Sequence, residues 1–193
     1  MGSCERQGEV VLSTDRLVLR RFREGDSKAV CQCFSDPEVI RYQRFPRPIT
    51  EEEACLFVRS YIESYEQDPP RRYPFAIVLR DSGEVIGQCE IDVTRGNGTR
   101  GGIAFTVNRR SWGKGLGTEA VRALVGFGFD QLRLQGISAS CESENGAAVR
   151  VLEKIGMKQQ PRLRKEAGAA PKEGSYLTYS ISEKEWRGDA SVS

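Results

Sequence analysis

The chain has 193 residues and a mass of 21.6 kDa, room for one domain with a sizeable core. Lys plus Arg number 29 and Asp plus Glu 27, a formal net charge of +2, so the basic excess that neutralises nucleic-acid phosphates or anionic membrane surfaces is missing and neither is an expected partner. Hydrophobic residues at 38% and charged residues at 29% describe a soluble globular protein, and no run of about 18 apolar residues suggests a membrane span.

Residues 1–13 form a polar lead-in, whose Met1-Gly2-Ser3-Cys4 start fails the myristoylation pattern at Arg6. Arg16 to Arg23 alternates as a strand, with Leu17 and Leu19 on one face. Asp26 then caps a short predicted helix through Phe34, closed by Asp36-Pro37. Thr50 to Glu53 has capping-box spacing and opens a helix with an apolar stripe at Ala54, Phe57, Val58, Tyr61, Ile62 and Tyr65. Predicted strands follow at Tyr73 to Leu79, Val85 to Val93 and Gly101 to Asn108, separated by turns at Asp81 to Glu84 and Arg95 to Gly98. A helix from about Gly117 to Leu132 leads to a strand from about Ile137 to Glu142. Asn145 caps another helix that Gly156 ends, and a strand near Tyr176 to Ile181 follows a Gly/Ala/Pro loop, Glu166 to Gly174. With no repeat or linker, the pattern predicts a mixed α/β single domain over 14–187, with a tail at 188–193.

The chain contains no histidine, which excludes imidazole acid/base steps, Ser-His-Asp or Cys-His mechanisms and His-ligated metals within it. Its six cysteines form no CxxC pair, so no metal is expected. Without a signal peptide they read as reduced packing residues of a cytoplasmic protein.

The sharpest local signal is Trp112-Gly113-Lys114-Gly115-Leu116-Gly117-Thr118-Glu119-Ala120, between a predicted strand and a long helix. Glycines allow close backbone approach, and a helix start offers free N–H groups and a positive dipole end, together a phosphate seat. The nucleotide motifs fail: a Walker A loop would need Gly at Asn108 and Ser/Thr at Gly115, and a dinucleotide fingerprint would need Gly at Thr118. A tight turn without a ligand is the plain alternative.

From Thr14-Asp15-Arg16-Leu17 to Glu185-Trp186 the chain resembles the GNAT superfamily of N-acetyltransferases, near the RimJ/RimL type that acetylates N-terminal amines of ribosomal proteins. The landmarks are Asp36 to Val39, Val85-Ile86-Gly87, the Trp112 to Ala120 loop, Asn145 and Leu152 to Met157. The resemblance implies a mostly antiparallel sheet flanked by helices, with a splayed central strand pair. It implies that acetyl-CoA is the co-substrate, its pyrophosphate on the loop backbone from Trp112, Gly113, Lys114 and Gly115 to Gly117 and Thr118. Trp112 stands where the family usually has Gln or Arg. The strand Ile103 to Val107 is expected to splay, so that Phe105 and Val107 pair with pantetheine and a strand N–H polarises the thioester carbonyl. Asn145 would bond the pantetheine arm or serve as a plain helix cap.

Two departures stand out. The family's candidate acids for the departing thiolate, a Ser and a Tyr, would fall on Ala148 and Leu152. A thiol in water ionises near pH ~8.5, so it can leave without full protonation; Tyr176 or Tyr179 are alternative donors, against a plain sheet-packing role for each. A base must still take a proton from the ammonium form of the acceptor. Alternation places Gln88, Glu90 and Asp92 opposite Cys89, Ile91 and Val93. Glu90, mid-strand beside the implied splay, is the first catalytic candidate, against a solvated sheet-face acid, and Glu142 on the strand beyond the glycine loop is the second. The acceptor implied is a primary amine, a protein N-terminus first and a small amine or aminoglycoside second, and a homodimer is compatible with it. The competing reading is an acyl-CoA-binding regulatory protein on the same fold.

Overall fold

The computed structural model describes residues 10–43, 47–95, 98–161 and 176–189. The expected loop Glu166 to Gly174, the Met1 start and the middle of the Arg95 to Gly98 turn lie outside them. Strands β1 (Leu12–Ser13) and β2 (Leu17–Arg20) precede three helices, α1 (Ser27–Phe34), α2 (Pro37–Ile40) and α3 (Glu51–Glu63). Then come β3 (Arg72–Leu79), β4 (Val85–Arg95), β5 (Arg100–Val107), α4 (Leu116–Asp130), β6 (Gly136–Glu142), α5 (Gly146–Lys154), β7 (Lys158–Gln159), β8 (Tyr176–Ser182) and α6 (Glu183–Asp189). The strands form one sheet in the order β1-β2-β3-β4-β5-β6-β8-β7, antiparallel except between β5 and β6.

Alternation along the strands divides the core. Phe75, Ile77, Cys89, Ile91, Ile103 and Ile137 point to one face, where α4 and α5 pack; Ala76 and Val78 point to the other, where Val58 and Tyr61 of α3 cover them. The α4 stripe of Ala120, Leu124 and Gly128, with Val121, Val125 and Phe129 beside it, is buried throughout. A Cβ on Gly128 would stand 2.7 Å from Ile137 Cδ1 and 2.8 Å from Ile91 Cδ1, so a glycine lets the helix cross the sheet closely and fixes where its N-terminus arrives. Cys33, Cys89 and Cys141 are buried free thiols, and burial pushes the Cys33 thiol up to about 12.

The capping box at Thr50 and Glu53 forms as expected, but the α3 stripe is narrower than predicted because Phe57 is 44% exposed. Asp26 behaves differently from its expected role. It stands at the start of α1, yet its carboxylate accepts both guanidinium nitrogens of Arg20, at 2.7 and 2.9 Å, and the Arg23 N–H at 2.8 Å. A bidentate arginine competes better than a single helix N–H for a buried carboxylate. Pro37 does not simply stop the chain; Asp36 caps it into α2 by accepting the Glu38 N–H. The short strands β1 and β7 and the helix α6 carry too few residues for a periodic signal in the sequence.

Asp26→Ala would take the carboxylate from an Arg20 side chain that is only 13% exposed. The expected loss of unfolding free energy is about 3 kcal/mol, read from urea unfolding midpoints. A loss no larger than a typical surface pair's would show that this buried ion pair is dispensable.

Candidate active site

The pairing of β5 with its neighbours makes the site. Asn108 N–H donates to the Ile86 carbonyl at 2.7 Å, and the antiparallel register runs Gly87↔Val107, Cys89↔Phe105, Ile91↔Ile103. In such a ladder the bonded pairs alternate, so Thr106 and Ala104 turn their backbone groups to β4, while Ile103, Phe105 and Val107 turn theirs toward β6. β6 accepts that pairing only from Arg100↔Gly136 to Gly102↔Ser138, and then the two strands part. The expected splay is present, with Phe105 and Val107 presenting backbone to the gap.

The chain leaves β5 through a turn at Arg109–Ser111, where the Asn108 side chain accepts the Ser111 N–H at 3.1 Å. The Trp112 indole N–H donates to the Val107 carbonyl at 2.7 Å, which ties the glycine loop to the end of the strand. Gly113 and Gly115 have φ of +73° and +77°, a region that a side chain would strain. Gly115 occupies the N-cap of α4, and among the described residues no side chain caps that helix, so its first-turn N–H groups remain for a ligand.

A cleft of about 580 Å³ runs from this loop along β5 to the start of α5. Phe105, Val107, Trp112, Gly113, Gly115, Gly117, Thr118 and Asn145 all line it. Asn145 Oδ1 accepts the Ala148 N–H at 3.1 Å, so Asn145 does cap α5, and two helix starts converge on one cleft. Arg150 and Lys154 add positive charge along α5. Lys114 lies behind the loop, where it lines a smaller hollow of about 230 Å³ with Arg16, Asp81 and Ser82.

The candidate bases stand apart from the cleft wall. Glu90 pairs with Arg72 at 2.6 Å on the sheet face it shares with Thr106, one diagonal step away across the β4–β5 ladder. Glu142 ends β6 and accepts the Tyr176 hydroxyl at 3.2 Å; burial and that carboxylate raise the Tyr176 phenol above its ordinary value. Ala148 lines the cleft, whereas Leu152 is 1% exposed in the core, where the Tyr179 ring is buried too. Folding also delivers residues without any sequence signal. Gln43 Nε2 donates to Thr106 Oγ1 at 3.0 Å and the Tyr42 hydroxyl to the Glu144 carbonyl at 3.3 Å, bridging the cleft from β5 to the loop before α5. Tyr42, Gln43, Thr106 and Glu144 come from three separated segments, and no spacing announces them.

A split sheet with an uncapped helix start at the split defines an α/β domain built to hold an anionic, extended ligand. A family model described as acetyltransferase (GNAT) domain matches residues 16–158. The uncharacterized N-acetyltransferase p20 of Bacillus licheniformis is 29% identical over 177 residues, covering 92% of this chain and 98% of the relative. A crystal structure of a GNAT-family acetyltransferase from Bacillus anthracis is 26% identical with a TM-score of 0.76, covering 91% of this chain and 100% of the other. Mycobacterium smegmatis RimJ, solved in complex with CoA-disulfide, shares the fold with a TM-score of 0.73 at 21% identity, over 92% of this chain and 88% of that one. The chain belongs to the GNAT acetyltransferase family, and it is an N-acetyltransferase. No helix of the described residues is long and apolar enough to cross a membrane.

Gly117 offers a clean test of the helix start. Its added Cβ would meet only Val107 Cγ2 at 3.7 Å and Val151 Cγ2 at 3.8 Å, and its φ is not positive, unlike that of Gly115. Gly117→Asp should therefore fold normally while setting a carboxylate where a pyrophosphate would lie, and its affinity for CoA should fall about tenfold or more by calorimetry. A folded variant with unchanged affinity would remove this helix start from the site.

Proposed function

We propose that the protein transfers the acetyl group of acetyl-CoA directly to a primary amine, with the N-terminus of a protein as the acceptor and a small amine or aminoglycoside as the second choice. The observation that carries this reading is the convergence of the α4 and α5 starts on the gap into which β5 turns its backbone. The pyrophosphate sits on the N–H groups of Gly113 to Thr118. Pantetheine lies along Phe105 and Val107 as a substitute for the missing length of β6, with the amide nitrogen of Asn145 bonding the arm while its oxygen caps α5. A β5 N–H then polarises the thioester carbonyl and stabilises the oxyanion that forms there.

The acceptor amine attacks the thioester carbon, the C–S bond breaks, and CoA departs as thiolate. Ala148 and Leu152 supply no acid, and a thiol that ionises near pH ~8.5 needs none at neutral pH. The proton of the acceptor passes through water to Glu90, which faces the same side of the sheet as Thr106; Glu142 is the alternative sink. Preference for a protein N-terminus rests on the resemblance to the RimJ/RimL type.

Release of free thiol from acetyl-CoA, measured with peptides bearing free or blocked N-termini and with a panel of small amines, tests the reading. Turnover with the free N-termini is expected. CoA binding without turnover on any amine would favour a regulatory acyl-CoA-binding protein instead. Glu90→Gln should lower the rate about 10²-fold at neutral pH with CoA affinity retained, and the deficit should shrink at high pH as more acceptor becomes free amine. Wild-type rates in that variant would exclude Glu90.

A further inference from the structure

Behind the glycine loop, the chain that leads into β2 is fastened to the first turn of α4. Glu119 Oε1 accepts the Thr14 hydroxyl at 2.6 Å and the Arg16 N–H at 2.9 Å; Glu119 Oε2 accepts Arg16 Nε at 2.7 Å and stands 2.6 Å from Arg16 Nη2. Burial alone would raise the Glu119 carboxyl, but the Thr14 hydroxyl and the Arg16 N–H and guanidinium together hold it below the usual carboxylate range. The same guanidinium has a further bond: Arg16 Nη1 donates to the Lys114 carbonyl at 2.9 Å.

That last bond orients a peptide. The C=O and N–H of a trans peptide point in opposite directions, so fixing the Lys114 carbonyl on Arg16 turns the Gly115 N–H the other way. The lining residues agree: Arg16 and Lys114 border the hollow behind the loop, while Gly113 and Gly115 border the cleft. Gly115 bounds this peptide on its C-terminal side and, without a Cβ, offers little resistance at φ to its rotation. Without the guanidinium, the peptide is free to present its carbonyl to an anion.

We propose that Arg16, anchored by Glu119, is a positioning residue for the anion seat: it locks the Lys114–Gly115 peptide with its N–H turned into the cleft and thereby sets the affinity for the pyrophosphate of the coenzyme. The proposal rests on the acetyl-CoA reading above. It also accounts for an acid in the first turn of the helix that receives the pyrophosphate. Glu119 serves as the anchor, and Arg16 neutralises the charge that would repel the ligand.

Calorimetric titration of CoA into wild-type, Arg16→Ala, Arg16→Lys and Glu119→Ala proteins separates this lock from simple charge. Arg16→Ala should weaken CoA binding about tenfold or more, the effect of one lost charge-assisted bond. In steady state its KM for acetyl-CoA should rise while kcat stays within about twofold, since the lock acts on binding and leaves the reacting atoms alone. Arg16→Lys keeps the charge but has no fork to bridge carboxylate and carbonyl, so it should recover little of the loss even if Arg16→Ala proves poorly folded. Glu119→Ala is the discriminating variant. Charge alone predicts tighter CoA binding once the acid is gone, whereas the lock predicts weaker binding because Arg16 loses its anchor. Tighter binding in Glu119→Ala, or wild-type affinity in folded Arg16→Ala, would overturn the proposal. A wild-type protein that binds no CoA would remove the functional reading itself, and the lock with it.

Discussion

β5 has two rows of backbone hydrogen-bonding groups and a full partner for only one of them. β4 matches it along nearly its whole length, whereas β6 matches it for three residues and then leaves. Buried N–H and C=O groups that lose a partner are costly, so Ile103 to Val107 call for another extended chain of amides beside them, or for water. Every other feature of the site is arranged around that break in the ladder. The Trp112 indole takes one of its carbonyls, the glycine loop opens at its end, and the α5 start closes the far wall.

The position of α4 follows from packing along its buried stripe and near its C-terminal end. Gly128 brings the helix down between Ile91 and Ile137, and the stripe from Ala120 to Phe129 anchors it over the sheet. A rigid helix fixed at that contact has its N-terminus fixed as well. The dipole and the free N–H groups therefore arrive at the split without any charged side chain having to be aimed there. Positive charge enters through Arg150 and Lys154 on α5, and the one acid in the first turn, Glu119, is neutralised by Arg16. In the proposed reading a chain with a net charge of only +2 holds a highly charged ligand by local attraction built largely from backbone.

Absence of histidine shapes the chemistry in a similar way. In the proposed reaction proton transfer falls to a carboxylate through water, and the sulfur departs as a thiolate without an acid. Leu152 is buried among the residues that hold α5 against the sheet, so its position presents no acid to the cleft. In the proposed reaction the enzyme contributes mainly position and an oxyanion donor, for which a split sheet suffices.

Much of this is legible in the amino-acid sequence. Periodicity locates α3, α4, α5 and the central strands, because a buried stripe or an alternating face leaves a local trace. The glycine loop, the Asn145 cap and the parity of Glu90 are readable for the same reason: each depends on residues within a few positions of one another. Asp26 escapes such a reading because Arg20 competes for a carboxylate that local rules assign to a helix. Tertiary structure alone decides what meets across the chain. Thr106 with Gln43, Tyr42 with Glu144, and Arg16 with both Glu119 and Lys114 join segments that lie 63, 102, 103 and 98 positions apart. Such pairs leave no period or spacing in one sequence, since their geometry exists only after the sheet has been assembled and then split.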